Sequence, residues 1–95
     1  MKSAVRLQSI QEDWSEKASE LESALLYNRK LWSVFLDAMA KPENPLPVEI
    51  KNNVASLGVF VLGHTLVLQR EPEPDKLSIL ISINQELAAG LRGAP

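Results

Sequence analysis

The 95-residue chain contains no cysteine. Disulfides, thiol catalysis and cysteine-held metals are therefore excluded, and the composition agrees with a reducing compartment. Histidine occurs once, as His64. A catalytic histidine needs an orienting partner and a cleft, and His64 falls midway along an apolar helical pattern, so no Ser/His/Asp arrangement can be assembled around it. Glycine is equally sparse: four residues, at 58, 63, 90 and 93, never adjacent. No phosphate-cradling loop can be built from them. No sign of charge dominates, with 10 Lys and Arg against 12 Asp and Glu. The basic residues are scattered, and Arg29-Lys30 is their one adjacent pair. A phosphate-binding surface wants clustered cations, so direct nucleic-acid binding is not expected. Long apolar runs are missing as well. The longest, "VASLGVFVLGHTLVL", covers 15 residues from Val54 to Leu68 with His64 inside, short of the roughly 20 that a bilayer demands. The opening "MKSAVRLQSIQED" has no apolar signal-peptide core. These absences predict a non-enzymatic cytoplasmic protein without metal, cofactor or membrane segment.

What is present describes a single small domain over 1–95. The apolar fraction is 45% and the charged fraction 23%, ordinary values for a globule. A chain of this size buries roughly two-thirds of the surface its unfolded form exposes. Little is in reserve, and a partner surface could contribute to stability.

Proline sets the divisions. Pro42, Pro45 and Pro47 interrupt the chain once, Pro72 and Pro74 again; each breaks a helix running through it. Before the first interruption, Trp14, Ala18, Leu21, Leu25, Asn28, Trp32, Phe35 and Met39 alternate gaps of four and three, one face of a helix. Leu26, Leu31, Val34 and Leu36 widen that face. Upstream, Val5, Leu7 and Ile10 repeat it more weakly. A continuous helix from Ser3 to Ala40 would be about 57 Å long, too long for a compact domain. A break near Glu12–Ser15, or a protruding arm, is expected. Ser9 with Glu12 and Ser19 with Glu22 offer competing capping signals. Between the interruptions, Ile50, Val54, Leu57, Val61, His64 and Leu68 repeat the spacing, with Pro47 suited to the first turn. Val59, Phe60, Leu62, Leu66 and Val67 make this helix apolar nearly all round, as a central or partner-bound helix would be. After Pro74, Asp75 is a good N-cap. Leu77, Leu80, Ile81, Asn84, Leu87, Ala88 and Leu91 then form an apolar face, closed by Gly90 and Gly93. The fold predicted is an all-α bundle of three main helices over 14–40, 47–70 and 75–91, with a short fourth over 3–12.

Three polar residues stand on the apolar stripes, one per main helix: Asn28, His64 and Asn84. An unpartnered buried amide costs roughly 1–3 kcal/mol. Asn28 and Asn84 are therefore expected to bond to each other or to backbone, with His64 a third member of the node; the other reading has them at the stripe's edge, meeting water. Trp14 and Trp32 could stack on bases, but their places on the stripe assign them to packing, Trp14 being the better candidate for a partner surface. The acids of "EPEPD" could be imagined on calcium or magnesium, yet no glycine turn or further acceptor pattern follows. They read as a solvated linker.

The run from Tyr27 to Thr65 resembles the bacterial flagellar biosynthesis regulators of the FlaF family. The residues that carry the resemblance are Asn28-Arg29-Lys30-Leu31-Trp32, the loop Pro42-Glu43-Asn44-Pro45-Leu46-Pro47, and Asn53-Val54-Ala55-Ser56-Leu57-Gly58-Val59-Phe60-Val61. The later "LISINQELAAGL", Leu80 to Leu91, is similar to the family's ending, though Ser82 stands where an acid is common. A further N-terminal stretch with a Tyr-Ala pair, usual in the family, is not in this sequence. The resemblance implies a cytoplasmic factor promoting flagellin production and flagellum assembly alongside FlbT, a post-transcriptional regulator of flagellin messenger RNA. It also implies flagellin as a partner, bound in the manner of a secretion chaperone. The contact face expected for it joins Trp14, Leu21, Phe60 and Val67, with Arg29 and Lys30 at the rim. Two other readings stay open: an RNA-binding regulator of flagellin messenger RNA, and a self-associating helical module that forms a homodimer.

Overall fold

The computed structural model of the protein describes residues 2–91. Their helices are α1 (Lys2–Glu12), α2 (Trp14–Lys17), α3 (Leu21–Ala40), α4 (Val48–Arg70) and α5 (Leu77–Leu91), with 3-10 turns at Ala18–Glu20 and Pro74–Lys76. No strand occurs among the described residues. The chain is an all-α bundle: a short N-terminal helix, a one-turn helix, and three long ones.

The first long stripe is broken twice. Asp13 leaves the helical region at φ −127° and ψ 52°, and Lys17 does so again at φ −113° and ψ 3°. These bends let the segment fold back, so that the longest dimension is 44 Å rather than the 57 Å or so of a continuous rod. The Lys17 ammonium then donates to Ser9 Oγ at 2.6 Å across the bend. Neither expected cap forms. The cap positions are Asp13 and Glu20, and neither makes a side-chain capping hydrogen bond; Ser9 lies inside α1 and Ser19 inside the 3-10 turn.

A short loop joins α3 and α4 as an antiparallel pair. Asn44 organises it: its Nδ2 donates to the Ala38 carbonyl at 3.0 Å, and its Oδ1 accepts the Leu46 N–H at 3.0 Å. The Ala38 carbonyl also accepts the Lys41 N–H at 3.3 Å, so one amide adds a second donor at the end of α3 and closes an Asx turn. Pro47 occupies the cap position just before α4, and its carbonyl accepts the Lys51 N–H at 3.0 Å. The helices approach closely at Gly58, where an added Cβ would lie 2.5 Å from Leu36 Cδ2.

The buried line of α4 is not the expected one. Val54, Gly58, Val61, Thr65 and Leu68 face inward, while Leu57 is exposed and His64 half-buried. The four-and-three rhythm holds, but it passes through Gly58 and Thr65. Apolarity alone could not locate a glycine and a threonine on the buried side. Thr65 solves its own polarity by donating to the Val61 carbonyl at 2.7 Å.

The turn at Pro74–Lys76 leads into α5, and Asp75 sits inside that turn rather than capping it. Pro74 takes the helix-opening place, where its missing N–H costs nothing. Gly90 does not end the helix, which continues to Leu91; Gly93 and the Leu91 side chain lie outside the described residues. Inside, Leu7 and Ile10 of α1 join Leu25 and Trp32 of α3, Val61 and Leu68 of α4, and Leu77 and Leu80 of α5. Each such side chain contributes roughly 1.5–3 kcal/mol by leaving water. Val5 points outward, so α1 presents Ala4, Leu7 and Ile10 instead.

Candidate functional site

Two features lie between the long helices. The first is a buried amide node. Trp32 sits one helical turn beyond Asn28 on α3, Asn84 comes from α5 and Ser3 from α1. The Trp32 indole N–H donates to Asn84 Oδ1 at 2.8 Å. Asn84 Nδ2 donates to Asn28 Oδ1 at 2.8 Å, with a longer approach to Ser3 Oγ at 3.4 Å. Ser3 Oγ donates to the same Asn28 oxygen at 2.8 Å. All four residues are buried. The indole fixes the pattern, because it can donate and not accept. It draws the Asn84 oxygen toward itself, which turns the Asn84 nitrogen toward Asn28 and demands an oxygen there. One atom is left over: Asn28 Nδ2 has no partner among the described residues.

His64 stands apart from this node. Its Nε2 meets the Lys76 carbonyl at 2.7 Å, so that nitrogen carries the proton. Its ring stacks on Phe60, with centroids 5.5 Å apart and planes 11° from parallel. His64 holds the α4–α5 linker, as does Gln11, whose Nε2 reaches the Pro74 carbonyl and Ser78 Oγ, both at 2.8 Å. On the same linker Lys76 bonds Glu71 at 3.0 Å. That hydrogen bond holds the Glu71 carboxyl below the usual range and lifts Lys76 above its own. Glu71, Glu73 and Asp75 of "EPEPD" are exposed, and no group of three potential metal ligands occurs among the described residues.

The second feature is an apolar cleft of about 330 Å³ at the loop end of α3 and α4. Phe35 and Met39 form one wall, Ile50, Val54 and Leu57 another, and Leu46 comes from the loop. Leu87 and Gly90 of α5 close it, with Glu86 as the charged rim. The node supports this cleft from beneath: Phe35 meets Trp32 edge to face, centroids 5.6 Å apart at 86°. A second depression of about 370 Å³ lies near the bend, but Ser19, Glu22 and Gln69 make its walls mixed.

The residues of the contact face expected from sequence have unlike exposures. Leu21 is 5% exposed and belongs to the core, because α3 begins there and turns Leu21, Ala24 and Leu25 inward together. Trp14 packs half-buried against the core. Val67 is half-buried, Phe60 is engaged with His64, and Arg29 and Lys30 are exposed on α3. Sequence reasoning missed the cleft residues Leu46, Ile50 and Leu57 as a group, and missed Ser3 and Trp32 in the node. Trp32 could have been found, standing four residues after Asn28 on one stripe. Ser3 carried no such signal.

The family model of the flagellar protein FlaF matches residues 1–91. The chain belongs to the FlaF family. No curated protein and no solved structure matches it. The match takes in the first 26 residues, which the motif from Tyr27 onward leaves out. FlaF membership makes this a flagellum-related protein, and the structure gives the residues that carried the resemblance a physical role. Asn28, Trp32 and Asn84 build the node; Leu46, Leu57 and Leu87 line the cleft; Asn44 shapes the loop between them. No helix among the described residues is long and apolar enough to cross a membrane.

Proposed function

We propose that the protein is a cytoplasmic, non-enzymatic regulator of flagellin synthesis and flagellum assembly that acts by binding flagellin in a chaperone-like manner, in functional partnership with FlbT. The observation that carries the reading is the cleft: three segments characteristic of the FlaF family supply apolar side chains to one open groove. An amphipathic helix is the natural occupant of such a groove, laying its apolar stripe between two helices. Flagellin termini are expected to be helices of this kind, and covering their stripe would hold them from self-assembly until export. Burying one of them there would also shield Ile50 and Leu57, which now meet water.

The test mixes the purified protein with flagellin and, separately, with flagellin leader RNA, followed by size-exclusion chromatography with light scattering. A flagellin co-peak that Leu57→Asp abolishes, with the helical spectrum unchanged, is expected. Leu57 is 39% exposed, so the substitution leaves the core intact. A salt-sensitive RNA shift without flagellin binding would replace this reading with the RNA-binding one.

A further inference from the structure

Helix α4 keeps a second apolar face, turned away from the cleft and exposed among the described residues. Val48, Val59 and Leu66 stand on it at 71%, 68% and 52% exposure. At 3.6 residues per turn the three point within about 20° of one another, roughly 130° around the helix from the buried line of Gly58, Val61, Thr65 and Leu68. Asn52 and Arg70 share the same direction.

We infer that this face is the interface of a homodimer, in which α4 of one copy lies antiparallel to α4 of a second across a two-fold axis at Val59. The first reason is self-complementarity. An isologous contact needs a pattern that matches itself when reversed. Centred on Val59, Leu66 falls against the Asn52–Ala55 turn of the second copy, and Val48 falls against the aliphatic stem of its Arg70, which can cover apolar surface while keeping its charge in water. The second reason is charge. Glu49 and Arg70 stand at opposite ends of α4, and neither takes part in an ion pair among the described residues. Antiparallel pairing sets Glu49 of each copy beside Arg70 of the other, giving two bridges; parallel pairing would set like beside like. Exposed bridges add little energy, but like-charge juxtaposition is costly enough to choose orientation. The two bridges, separated by nearly the whole of a helix about 34 Å long, also fix the register. Ile50, Val54 and Leu57 lie on another side of α4, so the dimer leaves the cleft open and does not rest on what the cleft binds.

Light scattering from micromolar to millimolar protein is expected to give a mass approaching twice the 10.5 kDa chain, falling on dilution. Val59→Glu sets two carboxylates on the axis and is expected to weaken the dimer about a hundredfold or more, with circular dichroism unchanged because Val59 is outside the core. Glu49→Arg alone weakens association, and Arg70→Glu in the same chain restores it. The absence of cysteine gives an independent readout: Val59→Cys cross-links on mild oxidation, whereas Val5→Cys on the outer side of α1 does not. A monomer at every concentration overturns the inference, as does a dimer indifferent to Val59→Glu. A dimer that Val59→Glu dissolves but the charge swap fails to restore overturns the antiparallel arrangement. A chain that stays monomeric and uses Val59 only to hold flagellin transfers the face to that partner and equally overturns it.

Discussion

At the scale of single residues, the node shows how one donor-only side chain dictates the orientation of two amides. The Trp32 indole settles Asn84, and Asn84 settles Asn28. The leftover Asn28 Nδ2 is the consequence: no rotation of either amide satisfies it without setting two donors face to face. This asymmetry gives unequal effects for two similar substitutions. Asn84→Leu strands the indole N–H and removes a donor from Asn28, which is expected to cost about 2–3 kcal/mol. Asn28→Leu removes the orphaned N–H together with the shared acceptor, so the smaller loss is expected there. Urea unfolding of both variants checks the ranking. A clear gain in stability for Asn28→Leu, with an unchanged solution state, would show that the amide serves no specifying role.

At the scale of elements, α4 sets two glycines in opposite situations. No atom of the described residues lies within 4 Å of a Cβ added at Gly63, whereas one added at Gly58 meets the Leu36 side chain at 2.5, 2.9 and 3.1 Å. Both are helical, so both would gain about 1 kcal/mol of propensity as alanine. Gly63→Ala should realise most of that gain. Gly58→Ala must displace Leu36 and should be the less stable variant; adding Leu36→Ala to it should recover part of the loss, a coupling visible in a thermal-unfolding double-mutant cycle. These elements were largely legible in the sequence. Proline marked the interruptions, and the four-and-three spacing found all three long helices. It failed where the determinant is not hydrophobicity. Gly58 and Thr65 are buried because α3 approaches and because a hydroxyl can bond its own helix, and no apolar stripe signals either. The break at Asp13 fell inside the expected interval, but the second bend before Leu21 did not announce itself, since no side chain caps it. Leu21 stood both on the apolar stripe and on the expected contact face, and the structure keeps it on the stripe, 5% exposed. The cleft was illegible because its walls come from α3, the loop, α4 and α5, joined only by tertiary packing.

At the scale of the whole molecule, the question is whether α1 is an appendage or part of the fold. Eleven residues make a helix too short to persist alone in water. Its order must come from packing, and the structure shows where: Leu7 and Ile10 are fully buried in the shared core, Ser3 enters the node, and Gln11 holds the start of α5. The dependence is mutual, because withdrawing α1 would expose core side chains and leave Asn28 with one donor fewer. Truncating a buried leucine or isoleucine to alanine costs about 2–5 kcal/mol, against a total stability of about 5–15 kcal/mol for a domain. Leu7→Ala with Ile10→Ala should therefore consume most of the stability of so small a chain, lowering the urea midpoint sharply and broadening the thermal transition. Val5→Ala, on the exposed side of the same helix, should shift stability by no more than about 0.5 kcal/mol. If α1 were only an arm, the double variant would unfold like the parent with the rest of the bundle intact; near-equal midpoints for the parent and both variants would therefore refute its place in the core.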